Sequence, residues 1–276
     1  MKMLAIIQDT FRESFSKKTF IAFFAISNIT ILIFLFALNL DIVKGALAAA
    51  TLFGQTIDLK NQQIDIRQFV VNVQSGIAVI LYGLGIFLSI FATANLIPHM
   101  LEKGNIDLLL SKPLSRTKIF LAKYLGSLSI VTFNISYLVV IIWLILSFKT
   151  RIWNFGFLYS GALIIITFAI ILSFMSLIGV MTRSSALVIM LAYSLFFLSQ
   201  PLAASENIVK ILTNKIYIFI IKALYWILPK TFELGNMIRL LVRNGRVENW
   251  LPLWTSLAFG GAMLFLANLY FLKKSY

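Results

Sequence analysis

The chain contains no cysteine and a single histidine, His99. The first absence excludes disulfides, thiolate metal sites and cysteine nucleophiles together, and a lone imidazole argues against a buried catalytic metal. Charge is scarce too: 12% of the 276 residues are charged and 60% are hydrophobic, against roughly 45–50% apolar content in a soluble domain. The long apolar runs hold no carboxylate. A proton- or sodium-coupled carrier usually has one there, so a small-ion route is disfavoured and energy is expected to arrive mechanically from outside the chain. No Gly-x-x-x-x-Gly-Lys-Ser/Thr loop occurs either. Gly156 and Gly161 have its spacing but are followed by Ala162 and Leu163, so the chain does not hydrolyse ATP by that route.

What is present is apolar sequence in lengths that cross a hydrocarbon core, which takes about 20 helical residues. The runs Thr19–Leu40, Gly76–Met100, Leu125–Phe148, Phe155–Met181, Ala186–Ala203 and Leu253–Leu272 predict an all-α, polytopic membrane protein with six transmembrane helices in one transmembrane domain over 1–276. The first run is longer than a signal-peptide core of about 7–15 residues and follows a polar lead-in. It is read as a retained span, although Ala46-Leu47-Ala48 fits a small-residue cleavage site.

The net charge of +14 does not point to nucleic acid, because the basic residues flank the apolar runs. With the N-terminus cytoplasmic, Lys2, Arg12, Lys17, Lys18, Lys103, Lys112, Arg116, Lys118, Lys123, Arg183, Lys273 and Lys274 lie inside. Only Lys44, Lys60, Arg67, Lys149 and Arg151 lie in the first outward loops, so the asymmetry predicts that orientation. The large outward loops are then 41–75, with a polar, β-compatible piece at Thr56–Arg67, and 204–250. In the second, Ile216–Leu228 is apolar but interrupted by Lys222, followed by Pro229 and only about 13 residues long. It is read as a re-entrant or interfacial helix; as a seventh span it would send the C-terminus outside. Lys230–Gly245 follows, with Leu234, Ile238, Leu241 and Val242 on one face that suits the membrane surface, and Gly245 as its stop.

Two charged segments interrupt the apolar pattern. In residues 3–18, MLAIIQDTFRESFSKK, the side chains of Leu4, Ile7, Phe11 and Phe15 recur at helical spacing and Lys17 and Lys18 close the run. This predicts an amphipathic elbow helix in the headgroup layer, or one packed against protein. The other is Leu101–Gly126, LEKGNIDLLLSKPLSRTKIFLAKYLG. Glu102-Lys103-Gly104 makes a turn, Asn105 suits an N-cap, and Asp107 sits in the first turn, where the helix dipole favours a carboxylate. Ile106, Leu109 and Leu110 form an apolar face, Pro113 ends the helix, and Ser115 caps the next. The expectation is a short helix over 101–114, held between the second and third spans and moving with them when pushed.

The succession of Glu102 and Gly104, Ile106, Leu109 and Leu110, then Lys112, Pro113, Ser115 and Arg116, then Lys123, Tyr124 and Gly126 resembles the membrane subunits of type 2 ABC exporters, the ABC-2 permease family. Within that family it looks most like the branch of the permease of the copper-processing exporter for nitrous oxide reductase maturation. The resemblance implies that 101–114 is a coupling helix. Glu102, Lys103, Gly104, Asn105, Ile106, Asp107 and Leu109 would contact a separate ABC ATPase subunit, and Pro113 and Arg116 would shape its exit. It also implies a second permease subunit, as homodimer or heterodimer, membrane lipids around the elbow, no nucleic acid, and a prokaryotic cytoplasmic membrane location. The chain would be a permease subunit rather than an enzyme, with no cofactor of its own and with ATP and Mg held by the partner. The plain alternative is a loop whose charges only orient the protein. A departure is the short Thr182–Ser185 connection around Arg183, which leaves little room for a second cytoplasmic contact.

The remaining polar residues of the spans, Asn28, Asn95, Asn134, Ser173 and Ser176, are expected to hydrogen-bond across helices. Gly76, Gly83, Gly260 and Gly261 permit close helix approach, within one subunit or between two. His99, beside Pro98, is read as an interfacial or core residue rather than a ligand or base. Two other functions fit the composition. One is a membrane anchor that transmits force to an outside partner through 41–75 or 204–250. The other is a membrane enzyme, for which only His99, Glu102 and Asp107 cluster.

Overall fold

A computed structural model of the chain describes residues 6, 8–13, 18–43, 46–52, 55–57, 66–111, 114–205, 214–243 and 245–274. After a helical stretch over 8–13 come α1 (Lys18–Ala37), β1 (Leu38–Val43), β2 (Ala46–Leu52), β3 (Gln55–Ile57), α2 (Ile66–Thr93), α3 (Leu96–Met100) and α4 (Asn105–Leu110). Then follow α5 (Arg116–Thr150), α6 (Phe155–Thr182), α7 (Ser185–Ala203), α8 (Lys215–Ile227), α9 (Thr231–Val242) and α10 (Leu251–Lys273). Among the described residues five helices are long and apolar enough to cross a membrane: α2 running into α3, α5, α6, α7 and α10. The apolar stretch of α1, Phe20–Phe36, is shorter.

Helix α6 is apolar around its whole circumference, and such a helix belongs in the middle of a bundle. It packs against α10, α5, α9, α2 and α7, and its Phe157, Phe168 and Ile171 join Ile86, Ile90, Ile135 and Ile142 in the main core. The opposite faces of the outer helices stay uncovered. Ile80, Leu84, Phe87 and Phe91 form an exposed stripe on α2, and Phe133 and Phe265 are exposed on α5 and α10. So much exposed hydrocarbon suits a lipid solvent.

The few polar groups of the bundle tie helices together. Asn134 donates to Ser27 Oγ at 2.9 Å and Tyr137 to Asn28 Oδ1 at 2.8 Å, joining α5 to α1. Tyr124 donates to the Ala169 carbonyl of α6 at 3.0 Å and meets Ser173 Oγ at 3.1 Å. Ser185, opening α7, donates to Asn95 Oδ1 at 2.7 Å, at the joint between α2 and α3. Ser176 instead bonds within its own helix, to the Leu172 carbonyl.

Three features differ from the sequence expectation. First, between α1 and α2 the helical bundle carries a small sheet where a loop is expected: β1, β2 and β3 are antiparallel in that order, with a bulge between Asp41 and Ile42. Leu38–Leu40, expected in the first span, are the start of β1, and much of what reads as a loop is strand. The alternation Leu38-Asn39-Leu40-Asp41-Ile42 is a strand signal; the alanine-rich Ala46–Ala50 favours helix locally and is overruled by pairing. Second, α2 begins at Ile66, ten residues before the expected second span.

Third, the amphipathic segment after Pro229 does not expose its apolar face to a membrane surface. Leu234, Met237, Ile238 and Val242 of α9 are buried in the main core, against α6, α2 and α7. α9 runs antiparallel to α2: Tyr82 donates to the Thr231 carbonyl, Ser75 to that of Arg239 at 3.4 Å, and Asn154 to that of Val242 at 2.7 Å. At the α8–α9 turn the buried Lys230 donates to Thr255 Oγ1 at 3.1 Å and stands 4.5 Å and 4.9 Å from the ring centres of Tyr225 and Trp226. Helix α8 itself has no buried residue.

Candidate functional site

The charged module folds as two short helices and a turn clamped between long ones. α3 ends at Met100, and Gly104 turns the chain with φ +92°, a conformation glycine adopts without Cβ strain. Gly104 rather than Asn105 is therefore the N-cap of α4, and Asp107 Oδ2 accepts from its N–H at 3.3 Å. Asn105 is the first helical residue and reaches back, its Nδ2 donating to the His99 carbonyl at 3.1 Å. On the far side Ser115 precedes α5 in extended conformation. Arg116 Nη1 donates to the carbonyls of Leu272 and Lys274 at 3.4 and 3.2 Å, satisfying carbonyls at the end of α10, where a cation is favoured. Lys274 does the same for α6, donating to Val180 and Met181. Partial burial, and then the charge of Arg183, lower its pKa from the ordinary lysine value.

Burial divides the residues of α4. Ile106 and Leu109 are 3% and 6% exposed, in a cluster with Met100, Leu101, Ile119 and Phe120, so they anchor the helix at roughly 1.5–3 kcal/mol apiece. Glu102, Lys103, Gly104 and Asp107 are exposed. Leu108, which no sequence signal singled out, is 69% exposed and belongs with them. The exposed face of this module is thus Glu102, Lys103, Gly104, Asp107 and Leu108. Of the expected contact set, Ile106 and Leu109 face inward and Asn105 is half-buried. Pro113 lies outside the described residues.

The helix over 8–13 closes the module from the other side. Ile6 is 1% exposed and Thr10 fully buried; Ile6 enters the apolar cluster of Ile106 and Leu109. Glu13 meets Lys123 Nζ of α5 at 2.6 Å and His99 Nδ1 of α3 at 3.0 Å, and His99 Nε2 lies 3.7 Å from Glu102. A Cβ on Gly126 would lie 2.8 Å from Thr10 Cβ, so the helices touch there only because that residue is glycine. The Lys-Tyr-x-Gly residues thus each make a distinct contact. Lys123 holds Glu13, Tyr124 holds α6, and Gly126 admits Thr10.

The protein-facing stripe of this first helix is therefore Ile6, Thr10 and Glu13. Of the expected elbow set, Phe11 is half-buried beside Phe20, Leu96 and Ile130, and Lys18 opens α1; Leu4, Ile7, Phe15 and Lys17 lie outside the described residues. Sequence reasoning misses Glu13 and His99 as a pair because their ties join residues far apart in the chain. The signal available was the i, i+4, i+7 spacing of Ile6, Thr10 and Glu13. Between this helix and α4 lies a cavity of about 490 Å³ lined by Asp9, Asn105, Leu108 and Ser111 among others.

A family model described as ABC-2 family transporter protein matches residues 4–274. Among curated proteins, none matches the chain.

Proposed function

We propose, because the chain belongs to the ABC-2 transporter family, that it is the permease subunit of an ATP-driven exporter, pairing with a second permease subunit, identical or related, and with separate ABC ATPase subunits. The observation that carries this reading is the division of α4: Ile106 and Leu109 fix it to the ends of the spans, while Glu102, Lys103, Asp107 and Leu108 point away from the chain. A helix so held passes an applied push to α3 and α5 with little loss, since packed interiors are rigid. ATP and Mg belong to the partner, and this chain contributes force transmission rather than catalysis. In this reading the α4 end is cytoplasmic, in the inner membrane of a prokaryote, and α1 is the sixth span; its twenty residues rise about 30 Å.

The opposite end then faces outward, and α8 with α9 forms a re-entrant hairpin. α8 is too short to cross at about 20 Å, and Thr231, bonded to Tyr82, lies about 10 Å deeper along α2 than Arg239, bonded to Ser75. By its motif residues we group the chain with the nitrous oxide reductase maturation permeases, a kinship that names no cargo. One feature favours a second reading. The sheet formed by β1, β2 and β3 continues directly from α1, so an outside protein docked there would receive the motion without any cargo moving.

Co-purification with the ATPase encoded beside the chain tests the first reading. The wild type is expected to retain a P-loop ATPase and the Glu102→Arg/Asp107→Arg variant to release or uncouple it while the membrane part stays folded. Retention of no ATPase by the wild type, with no effect of the reversal, would leave 101–114 an orienting loop.

A further inference from the structure

We propose that Glu13 is a positioning residue that locks the N-terminal helix to the coupling module, so that helix and module move as one body when α4 is pushed. The mechanical part of this rests on the permease reading; the lock itself does not.

The geometry is that of a clasp with one carboxylate at its centre. Glu13 Oε2 accepts from Lys123 Nζ at 2.6 Å, and Oε1 stands 3.0 Å from His99 Nδ1. One side chain thereby joins α3 and α5, the elements that enter and leave α4. The Lys123 side chain is 4% exposed, so its ammonium has given up water and needs an anion. Among the described residues, Glu13 is the carboxylate at ion-pair distance from it. His99 extends the tie to α4 itself, since its carbonyl receives Asn105 Nδ2 and its other ring nitrogen faces Glu102.

The other described contacts of this helix are apolar or steric. Ile6 lies in one apolar cluster and Phe11 in another with Phe20, Leu96 and Ile130, and hydrophobic contact sets proximity rather than a fixed direction. Thr10 against Gly126 is a steric seat on α5 alone. Toward α4 the cavity of about 490 Å³ leaves the gap open. Remove the carboxylate and the helix can slide over α5 into that space while α4 moves independently. With the clasp closed, a displacement of α4 must carry the interfacial helix with it.

The absence of native cysteine makes the test direct. Arg12→Cys and Ser111→Cys, both at exposed positions, carry spin labels in the full chain, in lipid nanodiscs with its ATPase. Distance distributions are recorded without nucleotide and after trapping with ATP and vanadate. In the parent the distribution should be narrow and keep its maximum in both states. In Glu13→Gln it should broaden and shift with nucleotide, and ATP hydrolysis should lose its dependence on the permease. The Glu13→Leu/Lys123→Met variant removes the buried ammonium together with the carboxylate, so Lys123 is not left buried without its anion; it should broaden in the same way. Narrow, unshifted distributions in either folded variant would overturn the proposal. The nucleotide-free distances report the lock whether or not an ATPase is retained, so loss of the permease reading would show separately, as an absent ATPase.

Discussion

Gly126 and Gly83 both lie inside long helices, yet a methyl group added to the first meets Thr10 Cβ at 2.8 Å, and one added to the second meets nothing within 4 Å. Helix propensity alone would make both replacements by alanine favourable, by up to about 1 kcal/mol. Packing reverses the sign at Gly126, where overfilling costs about 1–3 kcal/mol because the clash is with a Cβ rather than a flexible tip. Thermal unfolding in detergent should therefore rank Gly83→Ala at or above the parent and Gly126→Ala below it. Thr10→Gly, which removes the clashing atoms, should return part of the loss when combined with Gly126→Ala. Equal behaviour of the two alanine variants would mean that the first helix does not rest on α5. The Lys-Tyr-x-Gly motif is legible in the sequence, but the reason for its glycine is not, since Thr10 stands far away in the chain.

The turn between α5 and α6 is where several elements depend on one another. Asn154 Oδ1 accepts from Gly156 N at 3.0 Å as the N-cap of α6, while Nδ2 donates to Gln74 of α2 at 2.8 Å and to the Val242 carbonyl of α9. Trp143 donates to its carbonyl at 2.9 Å. Replacing Asn154 with alanine loses a cap worth about 1 kcal/mol and two buried hydrogen bonds of similar worth, so about 3 kcal/mol is expected in denaturant titrations. Gly156→Ala strikes backbone instead, its Cβ 2.3 Å from the Leu241 carbonyl, and should push α9 off the bundle. Hydrogen exchange over Thr231–Val242 should rise in both variants and little elsewhere; unchanged protection there would detach α9 from this turn. The apolar stripe of α9 is readable from its spacing. That a protein core rather than a membrane surface receives it is not, because an amphipathic helix carries no mark of what will cover it.

For the whole molecule, the arrangement predicts sidedness. Single cysteines at Ser111 and Glu248, both at exposed positions on opposite ends of the bundle, should react with a membrane-impermeant thiol reagent from opposite sides in inverted and right-side-out vesicles, Ser111 from the cytoplasm. A cysteine at Ile220, on the exposed apolar face of α8, should be shielded by lipid from both sides. Reaction of Ser111→Cys and Glu248→Cys from the same side would overturn the orientation. Ready aqueous labelling at Ile220→Cys would overturn the re-entrant placement of α8. The expected orientation comes from the positive-residue asymmetry, which is a sum over many positions and survives local exceptions.

The sequence by itself determined the solvent of this protein, the approximate course of its long helices, and the presence of a short capped helix between the second and third. Each depends on residues a few positions apart: apolar run length, the Asp107 carboxylate in a first turn, the glycine turn before it. Only the tertiary structure decided which side of α4 faces outward, putting Leu108 out and Ile106 in. It also decided that Glu13 meets Lys123 across 110 positions of chain, and that alanine-rich β2 pairs as a strand. Local free energies are encoded by neighbours within about a helical turn, whereas the partner of a buried charge or an apolar face is chosen by how whole elements dock.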